Sequence, residues 1–120
     1  MLNKVQLIGR LTHDLEKQYL NSHNEQITKI DFNLAINTKD KVQFIPCVVF
    51  RNQAETISKY LQKGSKIYVE GTLNIQKYTN NEGQPKINLQ VIVYNVIFLD
   101  NKSKEENLAL ENNHQSESEN

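Results

Sequence analysis

Three aromatic residues carry the chemistry open to this chain. Phe44 and Phe50 bracket the run Phe44-Ile-Pro-Cys-Val-Val-Phe50, and Tyr78 closes a later run that begins at Lys66. Side chains alternate along an extended strand, so Phe44 and Phe50 share one face while Ile45, Cys47 and Val49 take the other. The second set is the better core, which leaves the two phenylalanines half exposed. Flat rings on an open surface, with basic side chains near them, suit unstacked nucleic-acid bases better than a catalytic pocket. Two blander readings fit the same pattern: rings that simply fill a barrel, or a face that docks a protein partner.

The other reactive residue types do not assemble into a site. His13, His23 and His114 have no ligand-like spacing to one another or to Cys47, so no metal is expected. Cys47 is the single cysteine and lies among Val and Ile, which reads as a buried thiol in a reducing compartment. Asp14 and Glu16 are solvated charges on an extended segment. Gly9, Gly64 and Gly71 lack the spacing of a phosphate-cradling loop. Nothing pairs a nucleophile with a base, so neither an enzyme nor a cofactor is expected.

The elements that must position the aromatics follow from periodicity. Val5, Leu7, Gly9 and Leu11 alternate with Lys4, Gln6, Ile8 and Arg10, the pattern of a strand over 2–11 in which Gly9 marks a bulge or bend. Residues 20–25 read as a polar loop. Ile30, Phe32, Leu34 and Ile36 face inward along a second strand, and a short link at 37–41 leads to a third at Val42–Phe50. The period then changes to 3.6 over about 53–62, with Asn52 as N-cap, Glu55 completing a capping box and Gly64 at C′. Two long strands follow at 66–78 and 86–99, joined by a hairpin loop at Thr79–Gln84. Strand, strand, strand, helix, strand, strand is the order of the OB-fold, an all-β, five-stranded Greek-key barrel with one short helix between strands 3 and 4.

Composition bounds the rest. With 120 residues, 38% of them hydrophobic, the chain can build one modest core. Zero net charge hides an asymmetry: residues 1–100 hold 12 Lys/Arg against 9 Asp/Glu, and residues 101–120 hold 2 against 5. The body is thus mildly basic, and the segment 101–120 is an acidic tail too polar to offset its ordering entropy, which predicts disorder. The start, Met1-Leu-Asn-Lys-Val, has no secretory pattern, and no apolar run reaches the roughly 18 residues of a membrane span. A cytoplasmic protein with no membrane partner is expected.

Laid out in this way, residues 1–100 resemble the bacterial-type single-stranded DNA-binding protein family. The likeness rests on Leu2-Asn-Lys-Val-Gln-Leu-Ile-Gly-Arg-Leu11, Phe44-Ile-Pro-Cys-Val-Val-Phe-Arg-Asn-Gln-Ala-Glu55, Tyr60-Leu-Gln-Lys-Gly-Ser65 and Val69-Glu-Gly-Thr-Leu73, in order and at matching spacing. It implies a homotetramer that coats single-stranded DNA without sequence preference during replication, recombination and repair. It also implies that Phe44, Phe50 and Tyr78 stack bases, with Lys4, Lys63 and Lys77 near the strand. Arg10, a basic residue of the first strand, is read beside these lysines as a further phosphate neutraliser. Tyr78 stands where the family often has Trp, Gln18, Asn74 and Gln76 stand at positions often basic, and the 37–41 link lacks an aromatic. The family's tail usually ends Ile-Pro-Phe and recruits replication and repair partners. This chain ends Gln115-Ser-Glu-Ser-Glu-Asn120, so recruitment through such a tip is not expected. A primosomal or RNA-binding OB module is the alternative within the fold, and a protein-interaction barrel the alternative outside it.

Overall fold

Alternating burial along β1 (Val5–Leu11) shows how the sequence pattern becomes a barrel wall: Val5, Leu7, Gly9 and Leu11 turn inward and Gln6, Ile8 and Arg10 outward. The computed structural model describes residues 1–100, and the acidic, disordered tail expected at 101–120 lies outside them. The remaining elements are β2 (Gln18–Ser22), β3 (Glu25–Asn37), β4 (Val42–Phe50), α1 (Arg51–Tyr60), β5 (Lys66–Thr79) and β6 (Pro85–Phe98). Going round the barrel, β1 pairs with β5, β5 with β6, β6 with β4, and β4 with β3. Ala35 opposite Arg10 and Leu34 opposite Leu11 close the ring from β3 to β1. All pairings are antiparallel except β4–β6, which runs parallel at Cys47–Val91 and Val48–Ile92. Five closed strands in this order, with the helix between the third and fourth, are the OB-fold.

The core is the inward set of those strands, with Ile30, Leu34, Val49, Ile67 and Val69 fully buried. Helix α1 adds Ala54 and Ile57 to it, and Leu61 follows from the next turn. Cys47 is buried as well, and burial pushes its thiol up to about 12, so it stays protonated and unreactive.

Three local expectations are corrected. The first concerns the segment read as a polar loop at 20–25, where a sixth strand, β2, forms a hairpin with β3 in the register Ser22–Glu25. His23 and Asn24 both take positive φ, 50° and 64°, the geometry of a two-residue turn that matches strand twist. Nothing on β2 is buried, so no period-2 signal betrayed it. Second, Asn52 is not the N-cap. The helix starts at Arg51, directly after Phe50, with no side-chain capping bond. A single left-handed residue, Arg51 at φ 61°, turns strand into helix and leaves no room for a capping box. Glu55 instead accepts hydrogen bonds from Thr28 Oγ1 at 2.6 Å and Lys17 Nζ at 3.2 Å. Third, the helix ends at Tyr60 with Leu61 as its C-cap, so Gly64 is not its C′ residue but turns the following loop at φ 89°.

Gly9, expected to mark a bulge or bend, pairs with Ile67 in continuous register. The register slips at Glu70/Gly71 on β5, while Gly9 is needed for close approach: a Cβ there would come within 2.5 Å of the Ala35 carbonyl oxygen. Gly71 is tighter still, since a Cβ would collide with the backbone of Ile92. Gly71→Ala should therefore cost about 1–3 kcal/mol of stability through overpacking, read as a lower urea midpoint. A midpoint equal to that of the wild type would show that the bulge can relax without cost.

Candidate nucleic-acid interface

The long β5–β6 hairpin reaches past the barrel, because the chain carries paired strand residues as far as Thr79–Pro85. Its loop is built by Asn80, whose side-chain oxygen accepts the backbone N–H groups of Glu82 and Gln84 at 2.9 Å each, with Gly83 at φ 80°. One face of this arm carries Leu73, Ile75 and Lys77 opposite Val91, Leu89 and Ile87. The other carries Asn74, Gln76 and Tyr78 opposite Gln90, Asn88 and Lys86.

That second face overlooks the outer side of β3 and β4. Gln76, Asn88 and Gln90 from the arm, and Lys29, Asp31, Asn33 and Pro46 from the barrel, line an open groove of about 480 Å³. On β4 the outward row is Phe44, Pro46, Val48 and Phe50, set opposite Ala35, Asn33, Asp31 and Lys29 of β3. Phe44 is 62% exposed and Tyr78 52%, and Phe50 is half-buried. Val48 shares their parity yet is buried, hemmed between Asp31 on β3 and Ile92 on β6. The parity argument for the two phenylalanines holds. At a strand rise of about 3.4 Å per residue they stand about 20 Å apart, at either end of one face. Tyr78 shares the arm's groove-side face with Gln76, two residues away.

The basic residues divide. Lys63 and Lys77 are exposed, but Lys77 sits on the arm's apolar face, across from Tyr78. The Lys63 backbone N–H donates to Asp14 Oδ1 at 2.7 Å, which anchors its loop to the segment before β2. Lys4 immediately precedes β1 and Arg10 lies on it, in the cross-strand row Arg10–Ala35–Phe44; neither lines the groove, and each is engaged. Lys4 Nζ lies 3.3 Å from Glu70 Oε2, and Arg10 Nη1 donates to the Gly64 carbonyl at 2.8 Å. Sequence reasoning noted Gln76 only as standing where the family is often basic, and missed the rest of the groove's polar lining, namely Lys29, Asp31, Asn33, Asn88 and Gln90. Period-2 alternation on β3 marked Lys29, Asp31 and Asn33 as outward, but nothing local says which outward residues an arm from elsewhere will overhang.

Glu70 has an environment of its own. Hydrogen bonds from Asn95, Tyr68 and Lys4 hold its carboxyl down to about 2, and the same contact raises the Lys4 ammonium. A carboxylate with a depressed pKa stabilises the fold above its ordinary value of 4.5 and loses that contribution as pH falls toward 2. The melting temperature should thus drop more steeply over that window in the wild type than in Glu70→Gln. Parallel acid profiles would contradict this role.

Fold and site together define an OB-fold barrel with an open face of aromatic and amide side chains, and comparison with known proteins makes the assignment sharper. Residues 2–99 match the model of the single-strand binding protein family, and the chain belongs to that family. It is 64% identical over 104 residues to a single-stranded DNA-binding protein of Onion yellows phytoplasma, a match covering 87% of this chain and all of that one. It is 38% identical over 107 residues to one from Halalkalibacterium halodurans, covering 83% of this chain but 62% of that one. Among solved structures, the mitochondrial single-stranded DNA-binding protein of S. cerevisiae superposes with a TM-score of 0.70 at 20% identity, over 84% of this chain and 99% of that one, a likeness of fold.

Proposed function

We infer that this chain binds single-stranded DNA without sequence preference, coating and protecting exposed strands during replication, recombination and repair. The observation that carries the reading is the single open face on which Phe44 and Phe50 flank a polar groove overhung by the arm bearing Tyr78. The three rings would stack bases, each stack contributing roughly 1–3 kcal/mol, and every base has a face to offer, which explains the lack of sequence preference. Amides of Asn33, Gln76, Asn88 and Gln90 would solvate base edges without selecting one base. Lys63 and Lys77 would meet phosphates at the margins, and Lys4 and Arg10 would do so only by leaving Glu70 and the Gly64 carbonyl. The names of the relatives point the same way.

The assembly implied by the family resemblance is a homotetramer, in which one strand passes over several barrels and gains avidity through high effective concentration. No catalytic step or cofactor enters this reading. Among the described residues no helix is long and apolar enough to cross a membrane, and a cytoplasmic location accords with a DNA-coating role.

The test is fluorescence anisotropy of a labelled oligodeoxythymidylate, its duplex and its RNA counterpart, titrated at two salt concentrations. Tight, salt-sensitive binding to the single DNA strand, with far weaker binding to duplex, is the expected result. Equal binding to all three would refute it and favour a structured-RNA or protein-docking barrel.

A further inference from the structure

We propose that Lys29 and Arg51 form a phosphate-binding pair beside Phe50, held in the unbound protein by Asp31 and Glu25, and that an incoming strand exchanges these carboxylates for its own phosphates. The proposal rests on the single-strand reading above and adds the electrostatic half of that site.

Register and parity bring the four charges onto the face that carries Phe50. Lys29 is the direct cross-strand partner of Phe50, and Asp31 the partner of Val48. Glu25 shares the outward parity of Lys29 and Asp31 along β3. Arg51 follows Phe50 immediately, and its Nη1 donates to Glu25 Oε2 at 3.1 Å. Lys29 Nζ sits 3.3 Å from Asp31 Oδ2, and both residues line the groove. Two cations therefore neighbour Phe50, Lys29 across the strand pair and Arg51 next along the chain, within reach of the phosphates of a nucleotide stacked there.

The backbone at Arg51 supports a role for that side chain. At φ 61° it occupies the left-handed region, which glycine fills without strain and arginine does not. The strand-to-helix junction demands the conformation, yet the sequence supplies a long cation there. Strain retained beside a binding face is a pointer to use. A guanidinium also matches a phosphate in bidentate fashion.

The carboxylates are suited to being displaced. Side chains of the Arg51–Glu25 pair are 58% and 57% exposed, so the pair is solvent-screened and weak. If Lys29 turns to a phosphate, Asp31 keeps a second partner, the Gln90 amide, which donates to Asp31 Oδ1 at 3.4 Å. Lys4 differs in place: neither it nor its partner Glu70, which Asn95 also holds at 2.8 Å, lines the groove.

The experiment measures binding of the full chain to fluorescein-labelled oligodeoxythymidylate across a salt series, with Arg51→Gln, Lys29→Gln, Glu25→Gln and Asp31→Asn. Arg51→Gln and Lys29→Gln should each weaken binding and flatten the log–log salt slope by about 0.7. Glu25→Gln and Asp31→Asn should each tighten binding, by roughly two- to fivefold at low salt. Arg51→Gly, which relieves the left-handed residue, guards against misfolding and should lose the same increment of slope. Wild-type binding with unchanged slopes in the cation variants overturns the proposal alone, as does failure of the carboxylate variants to tighten. Absence of binding by the wild-type chain overturns the strand reading and this proposal with it.

Discussion

Replacing Phe44 and Tyr78 together by alanine is expected to weaken binding to a single DNA strand by about 2–6 kcal/mol, roughly thirtyfold or more in Kd. The magnitude follows from two lost stacking platforms at roughly 1–3 kcal/mol each. Both rings are more than half exposed, so their removal leaves no cavity and the melting temperature should barely move. That separation makes the pair more informative than Phe50, which is half-buried and would lose packing along with stacking. Equilibrium binding and a thermal melt on the same preparation check the outcome. Unchanged affinity in a folded double variant would mean that the strand does not lie on this face.

The second large effect falls on stability. Leu34 is fully buried and sits opposite Leu11, where β3 meets β1 and the barrel closes. Leu34→Ala should cost about 2–5 kcal/mol, from lost transfer energy and the cavity left behind. Small domains hold only about 5–15 kcal/mol in total, so the variant would keep little margin. Urea unfolding should show a lower midpoint at an unchanged slope. A shift below about 1 kcal/mol would mean that the site collapses to fill the cavity.

Much of this architecture was legible before any coordinates. Alternation on β1, β3 and β4 reflects a barrel with one buried face per strand, and that pattern survives translation into structure almost residue for residue. The arm from β5 to β6 was equally plain, because Asn80 and Gly83 are the residue types that such a loop needs. What escaped was governed by contacts distant in sequence or by local backbone geometry. Edge strand β2 buries nothing, so only the paired left-handed residues His23 and Asn24 define it. Asn52 looks like a cap, but the strand enters the helix too abruptly for one. The rings of the candidate site were visible by parity; its charges were not, because only tertiary register sets Lys29 across from Phe50 and Arg51 against Glu25. Conversely, Lys4 looked available at the start of the chain, and only the fold reveals Glu70 beside it.

The most direct test of base stacking on this face uses the protein's own fluorescence. The chain has five tyrosines and no tryptophan, so the emission comes from tyrosine alone. Titration with oligodeoxythymidylate should quench it in the wild type. In Tyr78→Phe, which keeps the ring and removes the fluorophore, most of that quenching should vanish while affinity is retained. Quenching of equal depth in Tyr78→Phe, or none in the wild type despite tight binding, would contradict stacking on the arm above the β3–β4 groove.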